Sequence, residues 1–95
     1  MELNKTNRGF AIGNFLDRNG FECSIQKSSL ATEDAIWLGI DNPNLTIFED
    51  AKMGNYLATK LPENWMVDTR MHLTREQVKE LLPILQKFVE SGELL

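Results

Sequence analysis

Two side chains that can do chemistry occur once each in this chain, the thiol of Cys23 and the imidazole of His72. In contact, a thiol and an imidazole make a nucleophile and its base. With carboxylates added they could hold zinc, which takes about four ligands. Local alternation argues against both. Cys23 falls in phase with Phe21 and Ile25, and His72 falls out of phase with Met71 and Leu73. If the apolar residues share one face of a sheet, the thiol and the imidazole lie on opposite faces. A metal site would then need further carboxylates or a symmetric second chain. Asp and Glu total 14, but no spacing singles out a pair for acid–base work, and there is no Gly-rich phosphate loop. No catalytic residue, metal site or cofactor is expected.

The same alternation collects a different group. Opposite the apolar face it places Glu22, Ser24 and Gln26 from one strand, Trp37 from a second, and Arg70 with His72 from a third. Ser28 and Ser29 follow the first of these strands. Trp and Arg are the residues that most often anchor interfaces, so these eight form the candidate binding surface. Each also has a structural reading. Trp37 fits a core or a loop-covered position, and His72 fits a structural hydrogen-bonding role. Arg70 fits a cross-sheet ion pair, and the two serines fit turn or cap positions.

The elements that must position these residues follow from the pattern. Met1 to Asn7 is polar and reads as frayed. Arg8 to Leu16 alternates loosely, Asn19-Gly20 is a strong turn signal, and Phe21 to Gln26 alternates cleanly, which together predict a β-hairpin. Ser28 to Asp34 could start a helical turn. Ala35 to Ile40 reads as a largely buried strand that ends before Pro43, and Leu45 to Phe48 as a short edge strand. Residues 49–64 read as a long loop, available as a lid over the polar face. Met66 to Leu73 alternates again. Thr74 and Gln77 then match a capping box, and Val78, Leu81, Leu82, Leu85, Phe88 and Val89 form one helical stripe closed by Gly92. Pro83 sits inside that stripe, which predicts a kink rather than a break. The expected fold is α+β: a small, twisted antiparallel sheet, an N-terminal hairpin plus two or three further strands, with one amphipathic C-terminal helix packed on its apolar face.

Residues 1–95 fit one domain, with an ordinary globular mixture of 42% apolar and 25% charged residues. No apolar run approaches the roughly 20 residues of a membrane helix. A net charge of −4 with mixed signs argues against direct nucleic-acid binding, which favours a basic patch. The lone cysteine fits a reducing, cytoplasmic setting. A homodimer is compatible with so small a chain.

Three blocks carry a resemblance: Cys23 to Ala31, Ala35 to Gly39, and Arg70 to Thr74 followed by Glu76-Gln77-Val78 and Leu81-Leu82-Pro83. In this order they resemble a family of small phage and prophage proteins, with a variable insert after the tryptophan strand. The resemblance spans Arg8 to Leu94 and is specific for the block order rather than for an activity. It implies a phage accessory protein in a bacterial host cell. Small acidic proteins of that origin include counter-defence factors, some similar to anti-CRISPR proteins. The implied function is non-enzymatic inhibition of a bacterial defence protein, such as a Cas effector, by surface binding. The alternatives are a binder of nucleotide second messengers, with Trp37 stacking a base and Arg70, Ser28 and Ser29 taking phosphate. Last comes a small enzyme, metal-dependent or with His72 as general base and Arg70 as electrostatic stabiliser.

Overall fold

The computed structural model describes residues 1–50 and 55–95. In chain order its elements are β1 (Leu3–Lys5), β2 (Ala11–Leu16), β3 (Glu22–Lys27), β4 (Ala35–Ile40), β5 (Thr46–Asp50), β6 (Asn55–Ala58), β7 (Arg70–Thr74) and α1 (Arg75–Ser91). Five strands form one antiparallel sheet in the order β1-β2-β3-β4-β7, and β5 with β6 forms a separate two-stranded sheet. The chain is an α+β fold.

The β2–β3 hairpin turns where Asn19-Gly20 predicts, although only Gly20 takes a positive φ, of 85°. The turn is tied by Asp17, whose carboxylate accepts from the backbone N–H groups of Asn19 at 2.9 Å and Phe21 at 3.0 Å. An Asx turn of this kind satisfies backbone donors that a sharp reversal would otherwise leave open.

Several boundaries depart from the sequence expectation. The N-terminus is not wholly frayed, because Leu3–Lys5 pairs with β2. A tight reversal makes this possible. Thr6 N–H donates to the Phe10 carbonyl at 2.8 Å, and the Thr6 hydroxyl accepts from Phe10 N–H at 3.1 Å. Arg8 to Phe10 therefore belongs to the turn, and β2 starts only at Ala11. β1 escapes sequence reading because it is an exposed edge strand with no buried phase to betray it. Ser28 to Asp34 forms no helical turn. Ser28 instead extends the ladder by donating its N–H to the Ala35 carbonyl at 2.9 Å, and its hydroxyl accepts from Leu30 N–H at 3.2 Å. The expected 49–64 loop contains β6 and the end of β5, and residues 51–54 lie outside the described residues. Leu45 to Phe48 contributes to that hairpin, not to an edge of the main sheet. The last strand begins at Arg70 rather than Met66.

The helix begins and ends as its sequence dictates. Thr74 Oγ1 accepts from Gln77 N–H at 3.2 Å, and Gln77 Oε1 accepts from Thr74 N–H at 3.0 Å, closing the capping box. Gly92, at φ 76°, donates its N–H to the Phe88 carbonyl. The helix runs unbroken through Pro83.

Its placement is the main correction. No residue of α1 is buried, and its chief contact is with β7, the strand it continues. Leu82 is 60% exposed, Leu85 and Phe88 53% each. The reason lies at the junction. Thr74 is both the last residue of β7 and the cap of α1, so no connecting residue separates them. A helix that folds back over its own sheet usually follows a connection of about 2–6 residues. Here the helix projects from the sheet instead of covering it. Among the described residues the buried apolar side chains are Cys23 and Ala35.

Candidate functional site

Strand register assigns every side chain of the sheet to a face, because residues directly opposite in a ladder point the same way. One row runs across all five strands: Leu3, Gly13, Ile25, Leu38 and Met71. Phe15, Cys23 and Ile40 flank it on one side and Lys27, Ile36 and Leu73 on the other, which makes this face largely apolar with a lysine near one margin. The next row also crosses the sheet: Asn4, Ile12, Gln26, Trp37 and His72. Beside it lie Asn14, Ser24, Gly39 and Arg70. The parity expected of Glu22, Ser24, Gln26, Trp37, Arg70 and His72 is therefore the parity found, with Cys23 on the other face.

Six of the eight candidate residues come together. The rings of Trp37 and His72 stack with centroids 3.8 Å apart and planes 11° from parallel. The Arg70 guanidinium sits 5.6 Å from the Trp37 centroid, within cation–π range. Arg70 also donates to Gln26 Oε1 at 3.1 Å and to the Ser24 hydroxyl at 3.4 Å. Ser24 passes its own proton on, donating to Asp41 Oδ1 at 2.6 Å. A second link joins His72 Nε2 to the Ser28 hydroxyl at 2.9 Å. Among the described residues no buried side-chain nitrogen or oxygen lacks a partner.

Gly39 makes the crossing possible. It stands between Ser24 and Arg70 in the register, at φ 150°. A Cβ there would lie 2.7 Å from the Thr69 carbonyl oxygen and 2.9 Å from Arg70 Cα. With no side chain at this position, β7 approaches closely and the arginine reaches across β4 to β3.

Two candidates stay outside the group. Ser29 is exposed, beyond the end of β3, and joins none of these bonds. Glu22 is on the right face but exposed, and it lines a shallow cleft of about 350 Å³ with Asn14, Phe15, Leu16, Cys23 and Asp41. Conversely, Asp41 belongs to the network although sequence reading did not name it. Its signal was present, since Trp37, Gly39 and Asp41 share one phase. Val67, Asp68 and Thr69 also escaped notice. With Trp37 and Arg70 they line a concavity of about 180 Å³. They precede β7, and the alternation of Met66 to Leu73 does not single them out.

The groups that could react are engaged or buried. Ser28 and His72 are a hydroxyl–imidazole pair, but Ser28 is only 4% exposed and its oxygen already accepts from Leu30 N–H. Arg70 is occupied by two acceptors. Cys23 is buried on the opposite face, where burial first, and then Asp17 and Asp41, push its thiol above the usual range. Such a thiol is a poor nucleophile. Among the described residues no group of three or more His, Cys, Asp or Glu side chains could hold a metal ion. No helix of the described residues is long and apolar enough to cross a membrane. What the site does present is an aromatic and cationic surface whose Arg70 and His72 are tied to Ser24, Gln26 and Ser28.

Comparison with protein-family models, curated proteins and solved structures found no match to this chain.

Proposed function

We propose that this chain is a non-catalytic, phage- or prophage-encoded counter-defence protein that binds and blocks a bacterial immune effector, a CRISPR-Cas nuclease first of all. In this reading the contact surface is the face bearing Trp37, Arg70 and His72. The observation that supports it is the half-exposed Trp37–His72 stack with Arg70 against it, fixed by bonds to Ser24, Gln26 and Ser28. An anchor held in place before binding loses little entropy when it docks, and Trp and Arg dominate interface energetics. The block resemblance to small phage proteins supplies the biological setting.

The nucleotide-messenger reading has less support. Ligand pockets usually run from about 300 to 1,000 Å³, and the concavity beside Trp37 and Arg70 holds about 180 Å³.

The test is capture of purified Cas9 and Cascade-type complexes on the immobilised protein, with a plaquing assay in parallel. Wild type should retain an effector and protect phage. Trp37→Ala and Arg70→Ala should each weaken retention by roughly 30-fold or more, as loss of a hot spot does. Failure to retain any effector would remove the CRISPR assignment. Equal retention by wild type and both variants would remove this face as the contact surface.

A further inference from the structure

Among the described residues two apolar surfaces lack partners, and each is suited to the other. The first is the apolar sheet face with its five-strand row from Leu3 to Met71, where Met71 is 56% exposed. The second is the helical stripe Leu81, Ile84, Leu85 and Phe88. They are continuous, since Leu73 of the sheet face shares an open cleft of about 320 Å³ with Gln77, Glu80, Leu81 and Ile84. The result is an angled surface with a sheet floor and a helix wall. Beyond that cleft the direct β7–α1 junction leaves Leu85 and Phe88 53% exposed.

Three magnitudes say that the single chain is incomplete. A folded monomer of 10.9 kDa exposes roughly 5,600 Å², whereas this chain exposes 8322 Å². Its radius of gyration is 16.9 Å, against about 12 Å for a compact domain of this length. The third concerns the helix. Helices shorter than about 12–15 residues are marginal alone in water; α1 is only slightly longer, 17 residues, and Pro83 lies near its middle. A helix interior proline costs about 3 kcal/mol. Packing must hold this helix, and its own sheet does not supply that packing.

We infer that two copies of this chain exchange helices, the α1 stripe of each lying on the apolar sheet face of the other. The dimensions agree. Seventeen helical residues span about 25 Å, and five strands span about 19 Å from first to last. The surplus surface is of the size that obligate dimers bury, about 2,000 Å² and more. A second copy is the occupant because the same sequence supplies both complementary surfaces, which a two-fold axis brings together twice. The exchange leaves the Trp37, Arg70 and His72 face open, so it stands independently of the proposed function.

Native mass spectrometry of the full chain should show a dimer, with a melting temperature that rises with protein concentration. Leu85→Glu and Phe88→Glu together should raise the dissociation constant at least about 100-fold, from the loss of two buried apolar side chains. If that variant does not fold, wild type still decides the matter. Mixed isotope-labelled and unlabelled copies, cross-linked through lysines, should give heavy–light pairs joining Lys79 or Lys87 to Lys5 or Lys27. A monomer whose melting is independent of concentration would overturn the inference. So would a dimer whose heavy–light pairs join helix to helix alone.

Discussion

Gly39 shows how one absent side chain organises the polar face. Adding a methyl group puts it 2.7 Å from the Thr69 carbonyl and 2.9 Å from Arg70 Cα. Both obstacles are backbone, so β7 must shift. Gly39→Ala is expected to lower stability by about 1–3 kcal/mol, read as a lower urea midpoint with an unchanged slope. Ser24→Ala acts differently. It removes the hydroxyl that links Arg70 to Asp41 and leaves both with one partner fewer. An expected loss of about 0.5–1.5 kcal/mol follows from the lost hydrogen bonds of these part-buried groups, and the same urea titration measures it. These residues also show what a single sequence reveals at this level. Phase alone placed Trp37, Arg70 and His72 on a common face, because a period of two admits only two answers. Phase does not say that a serine will relay to Asp41, or that Ser29 will turn outward. Those depend on where a loop goes after its strand ends, and alternation stops there.

Among the elements, α1 has the clearest ends and the least expected position. Its cap, stripe and terminal glycine are local features, fixed by residues within a few positions of one another. Whether the helix lies on the sheet depends instead on the connection before it, and here there is none. The N-terminal strand eluded sequence reading for a related reason, since an exposed edge strand lacks the one-sided burial that makes alternation visible; of the second hairpin, Leu45 to Phe48 marks β5 and nothing marks β6. Thr74→Ala should cost about 1 kcal/mol of helix stability, seen as reduced helical circular dichroism on warming. The β3–β4 connection carries a pH-dependent tie. Lys27 holds Asp34 at 3.1 Å, and Arg75 lies 3.5 Å from its other oxygen. The hydrogen bond from Lys27, and then its charge, lower the Asp34 carboxyl below its ordinary value. A lowered carboxylate contributes stability that is present at neutral pH and lost as the pH falls through its folded-state value. The groups are exposed, so the effect is small and screened by salt. Urea midpoints of wild type and Asp34→Asn should therefore differ slightly at neutral pH in low salt and converge on acidification.

For the whole molecule, the two faces of the sheet have different fates. In the proposed arrangement the apolar face and the helix stripe meet those of a second copy, and the tryptophan face stays open for the proposed partner. Hydroxyl-radical footprinting of the wild-type protein in solution reads both faces at once, using side chains that oxidise readily. Met66 and Trp65, 96% and 66% exposed, set the rate for freely accessible residues. Met71 and Phe88, 56% and 53% exposed in the single chain, should be protected well below the rate of a freely accessible side chain of the same type, while half-buried Trp37 and exposed His72 are modified readily. Oxidation of Met71 and Phe88 at those free rates, with Trp37 and His72 shielded, would contradict this division of the sheet.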